Sequence, residues 1–94
     1  MGKRTANLTS NQTVNFGKMI DPIISVAGAT WGGGNLVVKF DGVQVAAAQT
    51  ADFYETFLSE GRPVKVTVEL ASATSPDITV NALFAESYGR ARSA

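Results

Sequence analysis

Val64-Lys65-Val66-Thr67-Val68-Glu69-Leu70 decides how this chain is read. Apolar and polar residues alternate without a break, the period of a strand with one buried and one solvated face. A helix would throw the same four apolar residues onto opposite sides of its axis. Ser75-Pro76-Asp77 follows as a turn. Ile78, Val80, Ala82 and Phe84 then alternate with Thr79, Asn81 and Leu83. The second face of this strand is partly apolar, so it is expected to be covered on both sides or to lie in an interface.

Working upstream, Asn35-Leu36-Val37-Val38-Lys39-Phe40 runs into Asp41-Gly42 and then Val43-Gln44-Val45-Ala46-Ala47. Asp-Gly between two β-prone runs is a strong hairpin signal, because both central residues of a type I′ turn need positive φ. Leu36, Val38 and Phe40 are expected on one face, and Val43, Val45 and Ala47 on the matching one. Val14 and Phe16 suggest an edge strand, and Ile23-Ile24-Ser25-Val26-Ala27 another, with Asp21-Pro22 separating them. Residues 50–61 are ambiguous. Phe53, Phe57 and Leu58 have helical spacing with Gly61 as a stop, whereas Phe53, Glu55 and Phe57 alternate; the aromatics favour the strand. Six to eight short strands with turn signals every 8–12 residues predict an all-β domain, a small β-sandwich or jelly-roll-like fold.

The chain has 94 residues, enough for one core. Residues 1–12 are polar and read as an N-terminal arm, residues 13–86 as the sandwich domain, and residues 87–94 as a C-terminal tail. Lys3, Arg4, Arg90 and Arg92 carry half of the eight positive charges. These ends are either solvated termini or arms that clamp a neighbouring subunit or an acidic surface. Met1 to Thr5 lack the apolar run that a secretory signal needs after them, and no stretch is long enough to span a bilayer as a helix.

Composition excludes more than it assigns. There is no cysteine and no histidine. Disulfides and thiolate metal sites are therefore out, and so are the commonest general base and the commonest metal ligand. Eight basic residues balance eight acidic ones, so there is no broad footprint for nucleic acid or an anionic membrane. Asp41, Asp52, Glu55, Glu60, Glu69 and Asp77 show neither ligand spacing nor a carboxylate pair of the glycosidase kind. With no histidine, a serine or threonine nucleophile would depend on Lys18, Lys39 or Lys65, and no Ser-x-x-Lys pattern is present. The expectation is a non-enzymatic protein with no catalytic residues, cofactor or metal.

Trp31-Gly32-Gly33-Gly34 is the most distinctive local motif. A glycine loop cradles phosphate when it feeds a helix N-terminus, and this one feeds a strand. Trp31 is read either as a core anchor or as a contact residue. Phe53, Tyr54 and Phe57 form an aromatic cluster, with Tyr88 near the end. Such clusters serve as stacking platforms for sugars or single-stranded nucleic acid, and Asp52, Glu55 and Glu60 make nucleic acid a poor fit here. The candidate protein-contact residues are Lys3, Arg4, Trp31, Phe53, Tyr54 and Phe57.

From Ile24 to Ala85 the chain resembles a loose family of small phage-encoded β proteins. The resemblance rests on Ser25-Val26-Ala27-Gly28, on Thr30-Trp31-Gly32-Gly33-Gly34-Asn35-Leu36-Val37-Val38 with its Asp-Gly turn, on Arg62-Pro63-Val64 through Leu70, and on Ile78-Thr79-Val80-Asn81-Ala82-Leu83. Its members are virion components: capsid decoration (cement) proteins, head fibres or tail accessories. The resemblance implies a β-sandwich without enzymatic activity, made in the host cytoplasm and seated on the capsid surface. It further implies homo-oligomers, often trimers, bound to the major capsid protein or another virion protein. It carries over no functional residue. The chain lacks the long Gly- and Thr-rich ligand loops of many relatives, which counts against a host-glycan role. On this reading, removing residues 1–12 leaves the fold intact and abolishes docking. The rival reading is a carbohydrate- or receptor-binding module with Trp31 and Tyr54 as its platform.

Overall fold

The computed structural model describes residues 2–85. It contains seven strands: β1 (Gly2–Leu8), β2 (Gln12–Thr30), β3 (Asn35–Phe40), β4 (Val43–Gln44), β5 (Phe53–Thr56), β6 (Val64–Ala71) and β7 (Asp77–Ala85). All pairings between them are antiparallel. The strands form one hydrogen-bonded sheet in the order β1-β7-β2-β6-β3-β4, with β5 on the other side of β2.

The path of β2 turns that sheet into a sandwich. Its first half pairs with β6 and its second half with β7 and β5. Gln12 lies opposite Leu70 and Thr30 opposite Asp77, yet Leu70 and Asp77 are only seven positions apart in sequence. Seven residues span at most about 25 Å, whereas a straight β2 would run about 60 Å between those ends. The strand must therefore double back. Contacts agree: Asn11 bonds both the N–H and the carbonyl of Ala73, at 2.9 and 3.1 Å, and Thr74 N donates to the Gly32 carbonyl at 2.9 Å. One layer is thus β1-β7-β2-β5, here sheet A, and the other is β2-β6-β3-β4, sheet B.

The corner falls at Asp21-Pro22, where Asp21 takes φ 47°. Residues expected to separate two strands instead mark the place where one strand changes layers. Pro22 cannot donate to a ladder, so the corner costs no ladder bond there. Ser59 closes it: its N–H donates to Asp21 Oδ1 at 2.6 Å, its hydroxyl donates to the same oxygen at 3.1 Å, and Asp21 N donates to Ser59 Oγ at 2.9 Å. A bulge at Asn15–Gly17 lets Phe16 point inward and restores Met19 to the core, with Gly17 at φ 84°.

The core follows the alternation. Val64, Val66, Val68 and Leu70 are buried, as are Ile78, Val80 and Ala82. Leu36, Val38, Phe16 and Met19 complete one layer, and Leu8, Ile24 and Val26 the other.

Two expectations need correction. Gly2–Leu8 is not an arm: it pairs along its whole length with β7, and Leu8 is fully buried. Lys3, Thr5 and Asn7 face outward, and Thr5 Oγ1 donates to Asn81 Oδ1 at 2.6 Å and Asn7 Nδ2 to Asp77 Oδ1 at 3.0 Å. A strand whose outer face is stitched by amides and hydroxyls has the composition of an arm. The Asp41-Gly42 turn forms, with φ 52° and 84°, but β4 keeps only Val43–Gln44, and Val43 and Val45 are exposed. The ambiguous segment holds the four-residue β5, followed by a turn through Glu60 and Gly61, both at positive φ. The expected C-terminal tail lies outside the described residues.

Candidate functional site

The six candidate contact residues do not gather at one place. Trp31 heads a tight turn in which Gly32 and Gly33 have φ 60° and 74° and Gly34 N donates to the Trp31 carbonyl at 3.0 Å. A Cβ on Gly32 would sit 2.1 Å from the Thr74 carbonyl oxygen. The glycines are there because the chain crosses between layers in contact with another backbone, not to cradle an anion.

The Trp31 indole lies on Gly28, where a Cβ would come within 2.5 Å of Nε1. That nitrogen donates to Asp52 Oδ1 at 2.8 Å, and Gly28 N donates to the same oxygen at 2.8 Å. The indole bond, followed by the Gly28 bond, holds the Asp52 carboxyl below its ordinary value. Trp31 is half-buried against the core, combining an anchor's packing with a wet polar edge.

Phe53 and Phe57 also turn inward. Phe53 lies opposite Val26 and packs on the core, and Phe57 meets Phe40 edge to face with ring centroids 5.2 Å apart. Arg4 sits on the inner side of β1. Its guanidinium donates to the Phe16 carbonyl in the opposite layer and lies 4.7 Å from the centre of the Phe84 ring. Arg4 therefore staples the two sheets at their open edge. A cation–π contact at such a site contributes about 0.5–1 kcal/mol.

Lys3 and Tyr54 face outward from sheet A, on the same side. Antiparallel partners share a face, so Lys3, Leu83, Ile23 and Thr56 form one row across four strands. Thr5, Asn81, Ser25 and Tyr54 form the next, and Asn7, Thr79 and Ala27 a third. Tyr54 is 67% exposed, while Ile23 and Leu83 are half-buried. Leu83 is the residue whose apolar character marked the second face of β7 in the sequence. Its neighbours in the strand order lie beside it, and no strand among the described residues covers it.

A second surface was not visible in the sequence. Val43 and Val45, after the Asp41-Gly42 turn, are 65% and 38% exposed. Val43 lies opposite Phe40, whose ring meets Phe57, and Leu58 next in the chain is 79% exposed. Val43 by register and Leu58 by sequence thus adjoin the two members of the Phe40–Phe57 pair. The available signal was an over-long apolar run after the Asp-Gly turn, and it read as a packed strand.

On the outer face of sheet B, Lys18 stands directly opposite Lys65, and Lys39 pairs with Glu69 at 3.4 Å. Among the described residues no three His, Cys, Asp or Glu side chains gather in a way that could hold a metal ion. Compared with known proteins, the chain matches no family model, and no curated protein or solved structure is significantly similar to it.

Proposed function

We propose that this protein is a non-enzymatic structural component of a bacteriophage virion, a decoration or cement protein that stabilises the head through subunit–subunit and subunit–capsid contacts. The resemblance of Ile24–Ala85 to small phage β proteins supplies the setting. The observation that carries the contact role is the exposure of the aliphatic side chains of Val43, Val45 and Leu58, the first opposite Phe40 in register and the last next to Phe57 in the chain. Exposed aliphatic side chains next to a half-buried aromatic pair mark a protein-docking surface. Many copies on a lattice turn a weak contact of this size into stable coating. The test is co-sedimentation with purified capsids of its phage. The native chain is expected in the capsid pellet, and a Val43→Asp/Leu58→Asp variant is expected to lose at least tenfold of that binding while melting normally. Native protein that stays in the supernatant at every concentration overturns the reading.

One observation favours a second reading, a carbohydrate-binding module. Tyr54 is exposed in the same row as Ser25, Asn81 and Thr5, an aromatic face beside hydroxyls and an amide. Trp31, the other expected platform residue, packs toward the core and so lies on the other side of sheet A. Retention on a glycan panel that disappears in Tyr54→Ala would support this reading over the first.

A further inference from the structure

We propose that Lys18, Lys65, Asn15 and Thr67 form a binding site for a tetrahedral dianion of the phosphate class on the outer face of sheet B. The inference does not rest on the exposed Val43, Val45 and Leu58, and it stands whether or not the chain coats a capsid.

The bulge in β2 builds this site. Asn15 is the partner of Thr67, and without the extra residue Lys18 would fall opposite Val64 and point into the core. The shift sets Lys18 opposite Lys65 instead, and both are exposed on the outer face. Direct partners have Cβ atoms about 4.5–5.5 Å apart. The next outward row lies about 7 Å along the strands. Two ammonium groups, an amide and a hydroxyl therefore occupy a block two strands wide and two rows long.

Donors dominate that block. Asn15 Oδ1 is taken by the Gly17 N–H at 2.8 Å, which leaves the amide nitrogen as the outward function. Among the described residues, no acceptor takes the Asn15 amide N–H, the Thr67 hydroxyl or either ammonium. The neighbouring carboxylates are engaged: Asp41 Oδ1 accepts the Lys65 backbone N–H at 3.0 Å, and Glu69 pairs with Lys39 at 3.4 Å. Lys18, Lys39 and Lys65 outnumber Glu69 on this face, so its potential is positive even with Asp41 at the margin and a chain that is neutral overall. Facing lysines oppose the fold, and an anion between them removes that repulsion.

Charge selects the ligand class. A carboxylate carries one charge and leaves one lysine uncompensated. A phosphate monoester carries about −1.5 to −2 at pH 7 and presents three acceptor oxygens. Lysine binds phosphate as a point charge, which suits long side chains on an open sheet. Both lysines are exposed and screened by salt, so the dissociation constant is on the order of 1 mM.

The test follows the backbone amide NMR shifts of Lys18, Lys65 and Thr67 while inorganic phosphate replaces chloride at constant ionic strength. The shifts are expected to saturate, whereas general salt exclusion from the surface is neither local nor saturable. Lys18→Gln and Lys65→Gln are each expected to weaken binding about tenfold or more. Lys3→Gln removes the same charge from the outer face of sheet A and is expected to leave the affinity unchanged. Sulfate is expected to bind like phosphate, and acetate about tenfold more weakly. Going from about pH 7 to about pH 5 protonates phosphate, whose second pKa is about 6, and is expected to weaken phosphate severalfold and sulfate not at all. Vesicles containing phosphatidic acid separate the sources of the ligand. Flotation with them that inorganic phosphate competes away assigns a surface-borne monoester, and saturable phosphate binding without flotation assigns a soluble one. Shifts that grow without saturation, equal binding by Lys18→Gln, equal weakening by Lys3→Gln, or acetate binding as tightly as phosphate overturns the proposal.

Discussion

The indole nitrogen of Trp31 and the backbone nitrogen of Gly28 donate to one and the same oxygen of Asp52, each at 2.8 Å. This bond set ties the β2–β3 turn to the segment leading into β5, and it depends on the charge of Asp52. Both donors favour the ionised carboxylate, so its folded value lies below the ordinary 3.8. A group whose folded value is depressed stabilises the fold above its unfolded value, and that contribution is lost as pH falls through the folded value. Trp31 is the only tryptophan, so its emission reports this site. The emission is expected to stay constant from neutral pH down to about 4 and to change only below 3.8. Asp52→Asn, which keeps an acceptor but cannot titrate, is expected to flatten that transition. An emission change centred above pH 5 in the native protein would contradict the assignment.

Gly32 and Gly33 share a backbone conformation and differ in their surroundings. Both have positive φ, but a Cβ on Gly32 would strike the Thr74 backbone at 2.1 Å, while one on Gly33 meets nothing within 4 Å. Gly33→Ala is expected to cost about 1–2 kcal/mol, the left-handed penalty alone. Gly32→Ala adds a clash with backbone that cannot swing away, bringing the loss to about 3 kcal/mol or more. Urea titration of the two variants checks the difference, and equal midpoints would show that the Thr74 contact is absent.

These two glycines also show what the sequence makes legible. A run of three glycines before a strand marks a tight connection, yet nothing local says that Thr74 lies against it. The same holds for the fold. Strict alternation at 64–70 and 78–84 predicts the strands and their buried faces, because period two is a property of neighbouring residues. The corner at Asp21-Pro22 reads as a break because a proline and a left-handed aspartate look the same whether a strand ends or changes layers. Ser59, which closes that corner from 38 positions away, carries no local signal at all. Among the candidate contact residues, Lys3 and Tyr54 face solvent, while Arg4, Phe53 and Phe57 turn inward because alternation along β1 and β5 places them on the core side. That parity becomes readable only once the strands and their registers are known.

The N-terminal segment is part of the fold, and its removal tests that directly. Leu8 is fully buried and β1 covers one flank of β7. Leu8→Ala is expected to cost about 2–5 kcal/mol, which lowers the melting temperature by roughly 4–8 °C per kcal/mol in a domain of this size. Removing residues 2–8 strips the edge strand, exposes β7 as a new edge and is expected to give aggregation. A truncated chain that melts like the native protein would restore the arm reading.

Lys18 and Lys65 are direct partners in the β2–β6 ladder, and both are exposed on the outer face of sheet B. Like charges placed opposite one another destabilise a sheet, and an opposite-charge pair contributes about 0.2–1 kcal/mol. Lys18→Glu exchanges the first situation for the second without touching the core. It is expected to raise stability by about 0.5–1 kcal/mol at low ionic strength. Lys18→Gln removes the repulsion without adding an attraction, so it should fall between the native chain and Lys18→Glu. At about 1 M salt the Debye length shrinks to about 3 Å, and the three proteins should converge. Denaturant midpoints at both salt concentrations make the measurement. A gain for Lys18→Glu that persists at high salt would point to strand propensity as its cause and not to the opposed lysines.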